Sequence, residues 1–282
     1  MNRPGFEEGF LKGKGGVKLF FRRREVASPK ASLAIVHGLA EHSGRYGSFF
    51  DYFTKAGCSV YAFDLRGHGH SEGLRAYAET IDDFLEDLHL FLKMVSQRSR
   101  KKLFLVGHSF GGQLALNYVA KHSGLRNGRP TGIVLSSPNV RLALQVPAAK
   151  VTAGKMLSKI LPRLTLANEI PFDFISHDRE LVLATKKDPL VQRKITARLG
   201  DLILKNQESL FSLAPKINLP SLFLQAGDDK ICSAEGAKEF FKEISVEDKS
   251  FKLYEGFYHE VFNEVQKRKV FHDLEQWIEK HL

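Results

Sequence analysis

The chain has 282 residues, 43% hydrophobic and 26% charged, a composition that excludes a disordered, collagen-like or coiled-coil protein. Its 42 Lys and Arg against 32 Asp and Glu leave a formal charge of +10, which points to an anionic partner (nucleic acid, membrane surface or acidic substrate) without choosing among them. Two cysteines, Cys58 and Cys232, do not make a disulfide scaffold or a zinc site, and neither a secretory segment nor an 18-residue apolar run is visible; a reduced cytoplasmic protein is expected.

Taken in chain order, a loosely alternating stretch at 17–26 comes first and a compact apolar run, SLAIV, follows at 32–36. Residues 46–55 place Phe49, Phe50 and Phe53 on one helical face, and 59–63 (SVYAF) is a second buried-strand pattern. The segment 80–95 carries Ile81, Phe84, Leu85, Leu88, Phe91, Leu92 and Val95 at helical spacing. Asp82, Asp83, Glu86 and Asp87 fall opposite that stripe and read as a solvated face. Strands at 103–106, 133–135, 222–225 and 251–254 then alternate with helices at 113–121, 234–244 and 265–281. Such alternation means βαβ units and a mostly parallel central sheet flanked by helices, with ligands at the strand C-terminal ends. Between Pro138 and Pro220 no strand is apparent, and the composition is helical with Pro147, Pro162 and Pro171 as punctuation. Residues 139–207 are therefore expected to form a helical cap inserted into a core made of 1–138 and 208–282.

The chemistry-bearing signal is Gly107-His108-Ser109-Phe110-Gly111, which follows the strand at 103–106 and opens the next helix. Strand, sharp turn and helix form the setting in which a G-x-S-x-G serine is exposed as a nucleophile. A serine hydroxyl needs a base, and His259, just past the last strand, is the best placed of eleven histidines. The base needs a carboxylate. The strand at 222–225 runs out into Asp228-Asp229, of which Asp229 is the choice and Asp228 the residue read as capping the turn. Serine, then Asp, then His is the chain order of the α/β-hydrolase fold. An oxyanion would be met by the backbone N–H of Phe110 and by that of Leu39, in the His37-Gly38-Leu39-Ala40 loop after the 32–36 strand.

His37-Gly38-Leu39-Ala40-Glu41-His42-Ser43-Gly44-Arg45-Tyr46, Asp64-Leu65-Arg66-Gly67-His68-Gly69-His70-Ser71-Glu72-Gly73, the Gly-His-Ser-Phe-Gly-Gly elbow and Tyr254-Glu255-Gly256 before His259 resemble, in family order over about residues 32–282, the monoacylglycerol lipases and related lysophospholipases. The resemblance implies an α/β-hydrolase fold with a lid and a serine esterase with no metal or other cofactor. The implied reaction is cleavage of a lipid monoester, monoacylglycerol above all, through an acyl-enzyme. It further implies that Glu41 and Arg45 shape the polar end of the site; a glycerol contact and a simple loop ion pair both fit them. Cys232, three residues after Asp229, matches a cysteine near the site in some members. Phe262 departs from the vertebrate members, which carry a second histidine there.

Residues 141–167 contain no acid. On a helical wheel Lys155, Lys159 and Arg163 share one face, and Met156, Leu157, Ile160, Leu161 and Leu164 the other, the pattern of a helix lying on an anionic membrane. Peripheral membrane contact through the cap and an ordinary packed cap helix are the two readings. Lysophospholipase and broad carboxylesterase activity remain alternatives for the reaction, as does a non-catalytic binding protein on a hydrolase scaffold. A metal hydrolase built on His68 and His70 lacks further ligands at metal spacing. No nucleic-acid recognition motif is present, so nucleic acid is not an expected partner.

Overall fold

The structure, a computed structural model, describes residues 5–122, 128–143 and 147–282. The strands within them are β1 (Glu7–Lys12), β2 (Lys18–Arg24), β3 (Ala31–Val36), β4 (Cys58–Phe63), β5 (Leu103–His108), β6 (Gly132–Ser136), β7 (Thr165–Ala167), β8 (Lys194–Thr196), β9 (Ser221–Ala226) and β10 (Lys249–Tyr254). The helices are α1 (Gly47–Lys55), α2 (Ile81–Arg98), α3 (Phe110–Lys121), α4 (Ala148–Ile160), α5 (Arg179–Lys187), α6 (Ala197–Leu213), α7 (Ala234–Glu243) and α8 (Lys267–Lys280). One eight-stranded sheet runs β1-β2-β4-β3-β5-β6-β9-β10. β1 and β2 are antiparallel to their neighbours, and every pairing from β4 through β10 is parallel.

The two faces of the sheet follow from alternation along each strand. Ala34 and Val36 of β3, Tyr61 and Phe63 of β4, and Leu103 and Leu105 of β5 enter one core, where the Phe84-Leu88-Phe91-Val95 stripe of α2 and the body of α3 cover them. Leu33 and Ile35, Val60 and Ala62, and Phe104 and Val106 enter the other, under Phe49, Phe50 and Phe53 of α1 and Val270, Leu274 and Trp277 of α8. A sheet covered on both sides needs continuous apolar strands, and β3, β4, β5 and β9 are buried at every residue. Right-handed crossovers then bring the C-terminal ends of β3, β5, β9 and β10 to one edge.

Four features depart from expectation. β1 was not anticipated; it forms a hairpin with β2, where Arg23 pairs with Glu7. The segment between β6 and β9 is not purely helical, because β7 and β8 form a two-stranded antiparallel pair. Its last helix, α6, runs through residue 207 to Leu213 and packs on α3. Finally, the acids of α2 are not all solvated. Asp83 closes a capping box with Thr80, and Asp87 is fully buried with both oxygens on Arg66, at 2.6 and 2.8 Å. An acid on the polar side of a wheel is pulled inward when a distant loop supplies a guanidinium.

The basic apolar stretch of the insertion also differs from its wheel. Helix α4 stops at Ile160, because the residue before Pro162 is disfavoured in helical geometry; Leu161 takes φ −130°, ψ 62°. Arg163 and Leu164 therefore lie beyond the helix, Arg163 over the Tyr77 ring. Leu157 is half-buried, and Ser158 is buried with its hydroxyl on Asp201 of α6. Met156, Ile160, Leu161 and Leu164 remain exposed, as do Lys159 and Arg163, while Lys155 is half-exposed. No helix among the described residues is long and apolar enough to cross a membrane.

Candidate active site

Ser109 stands at the hinge between β5 and α3 with φ 51° and ψ −117°, a region costing about 1–3 kcal/mol that persists only where surroundings impose it. They do so here. Its N–H donates to the Ser136 carbonyl at 3.0 Å, and its own carbonyl accepts from Gln113 N at 3.1 Å and Asn139 N at 3.0 Å. The flanking glycines are required by close approach. A Cβ on Gly107 would lie 2.6 Å from the Gly111 carbonyl oxygen, and one on Gly111 2.1 Å from that of Val36. The strand and helix can meet at so sharp an angle only without those side chains.

Asp229 follows β9 and His259 follows β10, so parallel pairing of β9 with β10 brings the two loops together. His259 Nδ1 lies 2.7 Å from Asp229 Oδ2. The other carboxylate oxygen, Oδ1, accepts from Ile231 N at 2.8 Å and Cys232 N at 2.9 Å, which fixes its orientation. Asp228 is exposed, and its backbone N–H is held by the Phe257 carbonyl. Burial works to lower the His259 pKa, but the Asp229 carboxylate outweighs it, and the imidazole sits above its ordinary 6.5. The neighbouring His108 ring, 4.8 Å away, is pushed down to about 4 by burial and by His259. His108 is thus a neutral neighbour, with Nδ1 against the Ser136 carbonyl and hydroxyl.

The Ser109 hydroxyl rests 3.9 Å from Cys232 Sγ; among the described residues no hydrogen bond joins it to His259. Both side chains line one cavity of about 330 Å³, together with Gly38, Leu39, Glu41 and Arg45. The loop carrying Gly38 and Leu39 lies against Ser109, since a Cβ on Gly38 would come within 3.1 Å of Ser109 Cβ. Phe110 is the first residue of α3, so its N–H has no partner inside the helix.

Glu41 and Arg45 belong to a buried charge network. Glu41 Oε1 accepts from Gly38 N at 2.5 Å and from the Tyr46 hydroxyl at 3.0 Å. Arg45 donates to both oxygens of Glu260, at 2.6 and 2.9 Å, to Thr185 Oγ1 at 2.8 Å and to Glu41 Oε2 at 3.3 Å. Burial would raise the Glu41 pKa; the Arg45 charge, assisted by His108, His37 and the Gly38 N–H, brings it instead down to about 2. Of the two readings for Glu41 and Arg45, a glycerol contact and a loop ion pair, the ion pair is present, and the stronger arm of Arg45 reaches Glu260. Sequence reading missed Glu260 and Thr185. An acid directly after the base histidine was the available hint for Glu260; nothing local marked Thr185.

The same cavity is also lined by the apolar Ile170, Phe172, Ile195, Ile203 and Leu204, and by Asn139, Asn168 and Glu169. Lys155, Met156, Leu157, Lys159, Ile160 and Arg163 do not line it among the described residues. Phe262 lies in the core beside Phe49 and Phe271 rather than at the site. His68 and His70 do not meet as ligands: His68 is buried beside His37, while His70 is exposed against Phe20.

Residues 27–266 match the family model described as serine aminopeptidase, S33. An uncharacterized abhydrolase domain-containing protein of Dictyostelium discoideum is 36% identical over 90% of the chain, which spans 27% of that larger protein. A monoacylglycerol lipase of Mycolicibacterium smegmatis is 32% identical, with 96% of each chain covered. The crystal structure of a monoacylglycerol lipase of Paleococcus ferrophilus superposes with a TM-score of 0.82 at 31% identity, covering 93% of this chain and 99% of that one.

Proposed function

The chain belongs to the α/β-hydrolase family of serine aminopeptidase S33 type and is a carboxylic ester hydrolase; on that premise we propose that it hydrolyses the acyl ester of single-chain lipids, above all monoacylglycerol to fatty acid and glycerol. The observation that carries the reading is a single cavity that brings Ser109 and His259 together with Glu41 and Arg45 and with the apolar Ile170, Phe172, Ile195, Ile203 and Leu204. An acyl chain fits the apolar part, and a small polyol fits the end bearing Glu41 and Arg45. The monoacylglycerol lipases among the relatives support the same substrate class.

In this reading Ser109 rotates its hydroxyl from Cys232 toward the His259 imidazole and attacks the ester carbonyl, while His259 takes the proton. Asp229, on the other ring nitrogen, holds the tautomer and stabilises the imidazolium. The N–H groups of Leu39 and Phe110 receive the oxyanion. His259 then protonates the departing glycerol oxygen, leaving an acyl-enzyme on Ser109. Water, activated by the same imidazole, attacks the acyl carbon and releases the fatty acid, and the proton returns to Ser109.

Residues 139–207 act as a lid over this cavity. Its exposed Met156, Ile160, Leu161 and Leu164 beside Lys159 and Arg163 suit insertion into an anionic lipid surface, with apolar groups among acyl chains and cations among headgroups. A panel of monoacylglycerols, lysophosphatidylcholine, di- and triacylglycerol and short nitrophenyl esters tests the substrate class; dominant activity on a diacyl lipid would overturn it. Fluorophosphonate labelling of the wild type, absent in Ser109→Ala, is the expected signature of the nucleophile, and labelling that persists in the variant would remove Ser109 from that role.

A further inference from the structure

Gly200 lines the cavity from α6. Residues 200, 203 and 204 share one helical face, and Ile203 and Leu204 present branched side chains to the cavity where Gly200 presents none. A glycine inside a helix is unfavourable relative to alanine; Gly154 of α4 and Gly200 are both such glycines with open space around them, and Gly200 is the one that borders the cavity. The usual reasons for a helix glycine are missing at Gly200. Gly200 is not among the positive-φ residues. Among the described residues nothing packs so closely that a side chain is barred, for the nearest atom to an added Cβ is Ile195 Cδ1, at 4.0 Å, the tip of another cavity-lining side chain. Gly107 and Gly111, by contrast, are closed off by backbone at 2.6 and 2.1 Å. What an alanine at 200 would fill is the cavity itself.

We infer that Gly200 is a specificity-determining residue, the gap it leaves beside Ile203 and Leu204 being occupied by the acyl chain of long substrates. This rests on the lipid-ester reading of the same cavity. A helix that gives up stability to keep a wall recessed makes sense for a long, bulky acyl group and not for an acetyl or butyryl one. The relevant quantity is the ratio of kcat/KM for long chains to that for short chains, because it cancels any general loss of activity.

The test runs wild type, Gly200→Ala, Gly200→Val and Gly154→Ala against C4 to C18 monoacylglycerols and, in parallel, C4 to C16 nitrophenyl esters. Gly154 is the matched control: it sits within α4, and among the described residues an added Cβ there meets nothing within 4 Å and Gly154 does not line the cavity. Both alanine variants are expected to melt about 2 °C higher, as a helix glycine replaced without clash predicts. Gly200→Ala is expected to lower the long-to-short ratio about fourfold, the factor for one methylene excluded from an apolar site, and Gly200→Val by tenfold or more. Gly154→Ala should leave the ratio at the wild-type value. An unchanged ratio in Gly200→Ala, or an equal drop in Gly154→Ala, would overturn the inference; should Gly200→Val not fold, the alanine pair still decides. A wild type that hydrolyses nitrophenyl esters but no monoacylglycerol would overturn the substrate reading, with the ester series still deciding the role of Gly200. A wild type inert on both would overturn both.

Discussion

Replacing Arg45 by Met removes the cation between Glu41 and Glu260 while keeping an unbranched side chain of similar reach. Both carboxylates would then be left in a site where the Arg45 and Glu41 side chains are 8% and 6% exposed. Breaking a buried ion pair by deleting one partner costs about 3–5 kcal/mol, because the remaining charge stays desolvated. The pKa of Glu41 gives a figure for all that surrounds that carboxylate, Arg45 first and His108, His37 and the Gly38 N–H after it. Its fall from 4.5 to about 2 in the folded state corresponds to about 3 kcal/mol, at about 1.4 kcal/mol per unit. The folded value lies below the unfolded one, so this stabilisation is fully present above pH 4.5 and is lost as pH falls through about 2; neutral pH is where the effect is complete. At pH 7 Arg45→Met should therefore melt about 6–12 °C below wild type, at about 2–4 °C per kcal/mol for a chain of this size. Glu41→Gln keeps an acceptor for Gly38 N and the Tyr46 hydroxyl but removes the charge. In the Arg45→Met background it should restore part of the loss, giving a coupling of about 2–3 kcal/mol in a double-mutant cycle read by urea denaturation. A melting shift under 2 °C, or effects that simply add, would refute the assignment of this network as a charge-compensated unit.

Asp229→Asn should lower kcat by about 10³–10⁴. The residual activity should persist to lower pH than in wild type, because the carboxylate that does most to raise the His259 pKa is gone and burial is then opposed only by Glu260 and Glu41; an unmoved acidic limb would count against this pair. Stability should fall steeply below neutral pH. His68 and His108 are held by burial down to about 3 and about 4, so below pH 6.5 the unfolded chain binds protons that the folded one refuses. The two groups together cost about 2 kcal/mol between pH 6 and 5, and equal urea midpoints at pH 7 and pH 5 would contradict it. Met156→Asp combined with Ile160→Asp should weaken sedimentation with phosphatidylglycerol vesicles about tenfold or more; unchanged binding would take α4 out of the membrane contact.

Much of the architecture was legible because it is written in short-range patterns. The apolar runs at 32–36, 59–63 and 103–106 fell inside β3, β4 and β5, since a strand buried on both faces leaves a continuous apolar signature wherever it occurs. The elbow was legible for a similar reason: Gly107 and Gly111 exclude side chains that would strike backbone only a few residues away or in the adjacent strand. Local chain stiffness also explains why α4 was overextended on paper, as Pro162 overrode an otherwise good wheel.

What depended on the tertiary structure is what joins residues far apart in sequence. Asp87 looked solvated on its helix and is buried because Arg66, from another loop, meets it. Arg45 finds Glu260 across 215 positions, a pairing that no periodicity encodes. The Ser109 hydroxyl lies against Cys232, 123 positions on, rather than bonded to His259, and Gly200 acquires meaning only once the cavity beside it is enclosed. Secondary structure and turn chemistry are set by neighbours along the chain, so the sequence alone displays them; the partner of a buried charge and the shape of an enclosed space are set by which surfaces the folded sheet and its insertion press together.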